Sequence, residues 1–148
     1  MAGAGKNKFI SPLPKIKGVR LERSLDNGKD LERILEDDFR EFVQDFAEKN
    51  GWYWFHDYTS RYNKAGFPDN IFIHSNPYVF LVVEFKAEEG HLSPEQIIWN
   101  EVATVIAKQN GGFYYMVAKP SDWQNLKGVL ECEREPKITM QYSAFATD

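Results

Sequence analysis

Apolar side chains recur at helical spacing in residues 29–50, with polar and charged residues between them. These apolar positions are Leu31, Leu35, Phe39, Phe42 and Phe46. Their spacing predicts an amphipathic helix with one buried face, and Gly51 supplies a natural end for it. The aromatic residues 52–56 that follow predict a strand.

Two more strand-like runs, residues 70–74 and 78–86, flank a short turn that contains Asn76 and Pro77. The second run begins with six apolar residues and so is apolar on both faces. A strand of this kind is typical of the centre of a sheet. The two runs therefore predict a hairpin whose second strand is buried.

A capping box at residues 93–96 (Ser-Pro-Glu-Gln) predicts a helix that extends to about residue 110. Residues 113–118 follow a glycine pair and predict another strand. A second capping box at residues 121–124 predicts a short last helix, and residues 137–143 predict one more strand.

The predicted order is α-β-β-β-α-β-α, which indicates an α/β fold with a mixed sheet flanked by helices. The strand–helix–strand passage over residues 78–118 favours a parallel pair of strands with a crossover helix. We expect a single domain over residues 29–148 with a poorly defined C-terminal tail. Residues 1–28 have no sustained period and predict an extended arm.

Charge is divided unevenly along the 148-residue chain, whose formal net charge is −4. Residues 1–23 carry six basic side chains and one acidic one, whereas the remaining 125 residues carry 12 basic and 21 acidic ones. The net charge alone argues against a nucleic-acid partner. The uneven distribution, with a basic arm joined to an acidic domain, is compatible with one.

Cysteine and hydropathy exclude other classes of protein. The lone Cys132 excludes an intramolecular disulfide and a Cys-rich zinc site, which indicates a reducing, cytoplasmic location. The longest apolar run is too short to span a bilayer, and the charged N-terminus lacks a secretory signal core. We therefore expect no membrane partner.

Two charged residues, Glu84 and Lys86, end the predicted central strand and project to the same side of it. A hairpin folded symmetrically about its turn places Phe72 opposite Leu81 and, by the same register, Asp69 opposite Glu84. Like charges in such a pair repel each other unless a cation lies between them. Carboxylate oxygens without histidine or thiol favour Mg²⁺ or Mn²⁺, which suits phosphodiester hydrolysis. The alternative is a structural salt bridge between Glu84 and Lys86.

Pro68-Asp69 followed by Glu84-Phe85-Lys86, within this order of elements, resembles the motif of PD-(D/E)xK nucleases. More narrowly, residues 66–69 (GFPD) and 92–96 (LSPEQ) resemble the VRR-NUC (virus-type replication and repair nuclease) family. The resemblance covers roughly residues 31–130 and implies the αβββαβ nuclease core.

The resemblance implies that Asp69 and Glu84 are metal ligands for Mg²⁺ or Mn²⁺, with the backbone carbonyl of Phe85 as a third ligand. Lys86 is then the catalytic lysine. Gln96 matches a family glutamine close to the metal, although it also occupies the capping position of its helix, and it can serve both purposes.

Glu36 best matches the glutamate of the family's first helix, and Glu32 is the substitute. Both glutamates flank the same side of the apolar stripe of this helix. An ordinary solvated helix charge is the alternative role for Glu36.

DNA contacts are predicted for two basic segments. The loop before the hairpin supplies Arg61, Tyr62, Asn63 and Lys64, and the arm supplies Lys15, Lys17 and Arg20. The alternative for the loop is an ordinary polar surface, and the alternative for the arm is a contact with a partner subunit. The three histidines, His56, His74 and His91, lack ligand spacing and are predicted to be packing or surface residues.

The predicted function is a metal-dependent endonuclease that cleaves DNA by structure, at four-way (Holliday) junctions or related branched DNA. The family resemblance implies a homodimer, since two sites related by a two-fold axis suit two symmetric nicks. A restriction-type duplex endonuclease and a catalytically inactive DNA-binding module of the same fold are the alternatives. A protein without any nucleic-acid role is a third.

Overall fold

Residues 18–58 and 65–133 are described by the structure, a computed structural model, and they form four strands and four α-helices. The helices are α1 (Val19–Asn27), α2 (Glu36–Lys49), α3 (Pro94–Gln109) and α4 (Trp123–Leu130), and the strands are β1 (Tyr53–His56), β2 (Asn70–Ser75), β3 (Tyr78–Phe85) and β4 (Phe113–Ala118). Short 3₁₀ helices, Leu31–Arg33 and Pro120–Asp122, precede α2 and α4.

The strands form one mixed sheet in the order β1-β2-β3-β4. The first two pairings are antiparallel and the pairing of β3 with β4 is parallel. Phe72 lies opposite Leu81 and Asn70 opposite Val83, which is the predicted hairpin register. The prediction of an α/β fold with a mixed sheet flanked by helices is confirmed.

The sheet is covered unequally on its two faces. Helices α1, α2 and α4 contribute to the larger core, which includes the buried Phe72, Leu81 and Trp123. Helix α3 lies on the other face, where the smaller core contains Val82 and Tyr115. The predicted capping box opens α3, and Ser93 Oγ accepts the backbone N–H of Gln96.

Helix α1 contradicts the prediction of an extended arm for residues 18–28. Leu21 and Leu25, one helical turn apart, are buried in the larger core. The helix is also held by Trp123, whose Nε1 donates to Asp26 Oδ1 at 3.1 Å, and Gly28 ends it in the left-handed conformation. Two apolar positions are too few to reveal a period in sequence. Residues 1–17 of the predicted arm lie outside the described residues.

Two other predictions about element starts differ from the structure, and a third is not tested by it. The first predicted helix begins at Glu36 rather than near residue 29, after the 3₁₀ helix and Asp30, which has a positive φ of 56°. The capping box at residues 121–124 is wrong, because Asp122 Oδ2 instead accepts the backbone N–H of Lys119 and closes a 3₁₀ helix before α4. The strand predicted at residues 137–143 lies outside the described residues.

A row of apolar side chains remains open on the α3 face of the sheet. Tyr53, Ile73 and Phe80 are register neighbours across β1, β2 and β3, and all three are exposed. Among residues 18–58 and 65–133, no second helix packs beside α3 to cover β1 on this face. Within the described ranges, no helix has both the length and the apolar character needed to cross a membrane.

Candidate active site at the end of the central strand

A cleft of about 620 Å³ opens where β3 ends and α3 begins. Its walls come from α2, β1, β3, α3 and the loop before β2, and they include Arg40, His56, Asp69, Glu84 and Gln96. Three of the predicted site residues therefore share one cavity, because the hairpin register and the helix capping position bring them there.

Glu84 is a buried carboxylate at the bottom of this cleft. Lys86 Nζ lies 3.9 Å from its Oε1, so the two side chains share a side as predicted. The other oxygen, Oε2, is buried and has no hydrogen-bond partner among the described residues. Burial, together with the charge of Asp69, raises the pKa of Glu84 to about 8, and Lys86 opposes this shift. The unpartnered Oε2 is the atom of this group that is free to bind a cation.

Asp69 lies one residue before β2, and continuing the hairpin register places it opposite Glu84. Its carboxylate is half exposed, and Asn70 Nδ2 donates to Asp69 Oδ1 at 2.6 Å. Asn70 Oδ1 in turn accepts from the buried Gln44 on α2, at 3.2 Å. Asp69 is therefore held by a chain of hydrogen bonds that begins in the helical layer.

His56 also lines the cleft, a position beside Asp69 that the sequence did not predict. Its Nδ1 lies 3.7 Å from Asp69 Oδ2 and 3.1 Å from the Asp69 carbonyl oxygen. The pairing of His56 with Asn70 in the sheet produces this position. Sequence spacing gave no signal for it, because His56 and Asp69 are 13 residues apart along the chain.

Gln96 takes its predicted capping position and also contacts Glu84, while its predicted place beside a metal stays a prediction. Its Oε1 accepts the backbone N–H of Ser93 at 2.8 Å, which completes the capping box, and its Nε2 donates to Glu84 Oε1. One amide group therefore fixes both the start of α3 and the orientation of the buried carboxylate.

Substitutions at the capping box separate these two functions. Ser93→Ala removes only the cap and is expected to cost about 1 kcal/mol of stability. Gln96→Ala keeps the bond from its own backbone N–H to Ser93 Oγ, but it removes the reciprocal bond from the Ser93 N–H and also the donor to Glu84, so it should cost more. Urea unfolding of both variants measures the difference. Equal losses of stability would show that the contact with Glu84 contributes nothing.

Glu36 is the first residue of α2 and lies within electrostatic range of the site. Partial burial raises its pKa, the charge of Lys86 lowers it, and nearby Asp37 and Asp69 raise it further. Glu32 lies in the 3₁₀ helix before α2 and is exposed. Of the two candidates, Glu36 is the one whose charge acts on Lys86 and Asp69.

Two polar residues on α2, Arg40 and Gln44, are buried and were not predicted. They follow Glu36 at intervals of four residues, so the three form a polar stripe along one side of the helix. This spacing was visible in the sequence. The spacing alone does not indicate burial, because arginine and glutamine are mostly exposed in proteins.

The predicted DNA contacts are only partly described by the structure. Arg61, Tyr62, Asn63 and Lys64, as well as Lys15 and Lys17, lie outside the described residues. Arg20 is exposed on α1 and is not among the residues that line the cleft. The predicted backbone ligand, the carbonyl of Phe85, follows Glu84 at the last position of β3.

The segment that leads into Asp69 is fixed against the start of α3. Trp99 Nε1 donates to the Ala65 carbonyl oxygen at 3.1 Å, and the rings of Trp99 and Phe67 meet edge to face. Gly66 has a φ of +87°, and a Cβ built on it would lie 2.4 Å from the backbone carbon of Glu95. Only glycine fits this approach.

Gly66→Ala is therefore expected to destabilise the protein by about 1–3 kcal/mol through overpacking and a disfavoured φ. The loop before Asp69 should shift with it. Gly111→Ala is the matched control, because Gly111 has no neighbour within 4 Å of a built Cβ and no positive φ. Thermal unfolding of the two variants tests the difference, and equal midpoints would contradict it.

The donor set of the cleft suits a hard cation with few protein ligands. No group of three or more His, Cys, Asp or Glu side chains that could hold a metal ion occurs in residues 18–58 and 65–133. Asp69 and Glu84 supply two carboxylates, and Glu84 Oε2 has no other partner among the described residues. Mg²⁺ commonly binds through one or two carboxylates and keeps several waters, so these residues fit it.

No protein-family model, curated protein or solved structure matches the chain.

Proposed function

We propose that the chain is a metal-dependent DNA endonuclease of the PD-(D/E)xK type, with a narrower resemblance to the VRR-NUC family. The supporting observation is the meeting of Asp69, Glu84 and Gln96 in one cleft, with Lys86 beside Glu84. The order of the described elements is compatible with the nuclease core. A buried carboxylate such as Glu84 next to a second carboxylate is a costly arrangement unless its charge is compensated, and a bound cation would compensate it.

In this proposal, Mg²⁺ or Mn²⁺ is held by Asp69, Glu84 and the backbone carbonyl of Phe85. The bound cation supplies a Lewis acid for a phosphate oxygen and lowers the pKa of a water molecule. The free Oε2 of Glu84 is consistent with this role, because a buried oxygen without a partner is unfavourable.

The side chains around the two carboxylates have separate tasks. Lys86 Nζ can donate a hydrogen bond to the attacking water or to a phosphate oxygen, and its charge opposes the negative charge that develops there. Gln96 holds Glu84 through Oε1 and leaves Oε2 free. Asn70 and Gln44 hold Asp69 in place, and Glu36 adds negative charge at the rim of the site.

Branched DNA is the proposed substrate, and a homodimer is the proposed form. Both follow from the resemblance to small viral nucleases that resolve four-way junctions. The lone Cys132 is free and exposed, which supports a reducing cytoplasmic location for the enzyme.

Cleavage of a four-way junction, a flap and a linear duplex, each with MgCl₂ or with EDTA, tests the proposed function. We expect cleavage of the branched substrates only when the metal is present. Lys86→Met should greatly reduce it, whereas Lys108→Met, an exposed lysine in the last turn of α3, should not. Cutting of linear duplex at one sequence would instead favour a restriction-type enzyme. Binding without cleavage would favour an inactive module.

A further inference from the structure

Arg40 is a buried cation in the wall of the cleft, and the proposed chemistry does not use it. Its side chain extends from α2 and is one of the groups that line the cavity together with Asp69 and Glu84. Only 9% of the residue is exposed. Burial of a guanidinium is unfavourable unless its charge and its N–H groups are satisfied.

The guanidinium is incompletely satisfied by the protein. Its Nη1 donates to Asp37 Oδ1 at 2.7 Å, whereas its buried Nε has no hydrogen-bond partner in the part of the chain that the structure describes. Asp37 itself is on the rim, and 73% of its side chain is exposed. The partner of this buried cation is therefore a solvated carboxylate that can move away at little cost.

An anion of suitable geometry would satisfy Arg40 better than Asp37 does. The planar fork of a guanidinium matches the oxygens of a phosphate group, and such pairs are frequently bidentate. The cleft also contains the carboxylates Asp69 and Glu84, which repel a phosphate. A fixed cation in the same cleft would offset this repulsion for a bound strand.

We propose that Arg40 binds a backbone phosphate of the DNA strand in the cleft and that this phosphate displaces Asp37 from the guanidinium. The inference rests on the proposed function, because it assigns a binding residue to the same site. It makes Asp37 a competitor of the substrate. If the pair between Arg40 and Asp37 were purely structural, removing the charge of Asp37 would instead weaken DNA binding.

Fluorescence anisotropy of a labelled four-way junction in CaCl₂, over a range of salt concentrations, tests this role with the full chain. Arg40→Gln should weaken binding about tenfold, as expected for the loss of a charge-assisted hydrogen bond. The slope of log K against log[salt] should fall by about 0.9, the contribution of one phosphate contact. Arg40→Lys keeps the charge but not the planar fork, so it should restore the salt slope but only part of the affinity. This partial recovery would show that the effect of Arg40→Gln does not come from loss of folding.

Asp37→Asn should strengthen binding in the wild-type background and lose this effect when combined with Arg40→Gln. Glu41→Asn, on the exposed side of the same helix, is the charge control, and its small gain should persist in both backgrounds. If Asp37→Asn weakens binding, or if Arg40→Gln leaves the salt slope unchanged, the pair is structural and the inference is wrong. Wild-type binding without Mg²⁺-dependent cleavage would reject the proposed function alone, and the absence of any binding would reject both.

Discussion

Asp69→Asn is expected to abolish metal-dependent cleavage without unfolding the protein. Asparagine keeps an oxygen that can accept from Asn70 Nδ2, so the hydrogen bonds that hold this residue should survive. The substitution removes one of the two charges that would bind the cation. We expect cleavage of a four-way junction to fall on the order of a thousandfold, which corresponds to about 4 kcal/mol of transition-state stabilisation.

Unlike cleavage, the stability of the metal-free Asp69→Asn variant should stay the same or increase. The charge of Asp69 contributes to the raised pKa of Glu84, so the neutral amide of the Asp69→Asn variant relieves a repulsion in the metal-free protein. In EDTA the variant should therefore unfold at the same temperature as the wild type or at a higher one. Asp45→Asn, an exposed site on α2, is the control for both measurements. If Asp69→Asn cleaves as fast as the wild type, the site assignment is wrong.

The metal-free protein is expected to lose stability as the pH rises towards 8, because of Glu84. The pKa of this group rises from 4.5, its ordinary value, to about 8 in the folded protein, chiefly because of burial. Between these values the folded state binds a proton that the unfolded state has released, so the free energy of unfolding decreases with pH. The stabilisation is complete below the unfolded pKa and is lost as the pH passes the folded pKa. It amounts to a few kcal/mol.

Urea unfolding in EDTA at several pH values measures this effect. Glu84→Gln keeps a neutral side chain of the same shape and should remove most of the decrease, so that the variant is the more stable protein at pH 8. Mg²⁺ favours the ionised carboxylate and should stabilise the wild type at pH 8 but not the variant. Glu48→Gln, an exposed site on α2, should behave as the wild type. A wild-type stability that does not change between pH 5 and 8 would contradict the assignment.

The sheet and the centre of the site could be predicted from sequence because both depend on short-range rules. A tight turn at Asn76-Pro77 fixes the hairpin register, and the register brings Asp69 to Glu84. Alternation in a strand places Lys86 beside Glu84, and the capping box places Gln96 at the start of α3. Each of these rules involves only a few residues, and none of them depends on how the helices pack against the sheet.

The remainder depends on packing between elements that are distant in sequence. His56 reaches Asp69 only because β1 pairs with β2, and Arg40 enters the cleft only because α2 lies across the sheet. Helix α1 is stabilised by burial of Leu21 and Leu25 against a core assembled from much later residues. No local pattern contains this information.

Because the apolar row beside α3 is exposed, we expect substitutions in this row to be tolerated better than substitutions on the covered face of the sheet. On the covered face, shortening a fully buried residue such as Leu81 to alanine should cost about 2–5 kcal/mol. On the open face, Tyr53 is 75% exposed and gains little from burial, so polar residues there should be nearly neutral for folding. Position 53 is on an edge strand, away from the residues that line the cleft, and can carry a spectroscopic label without disturbing the site.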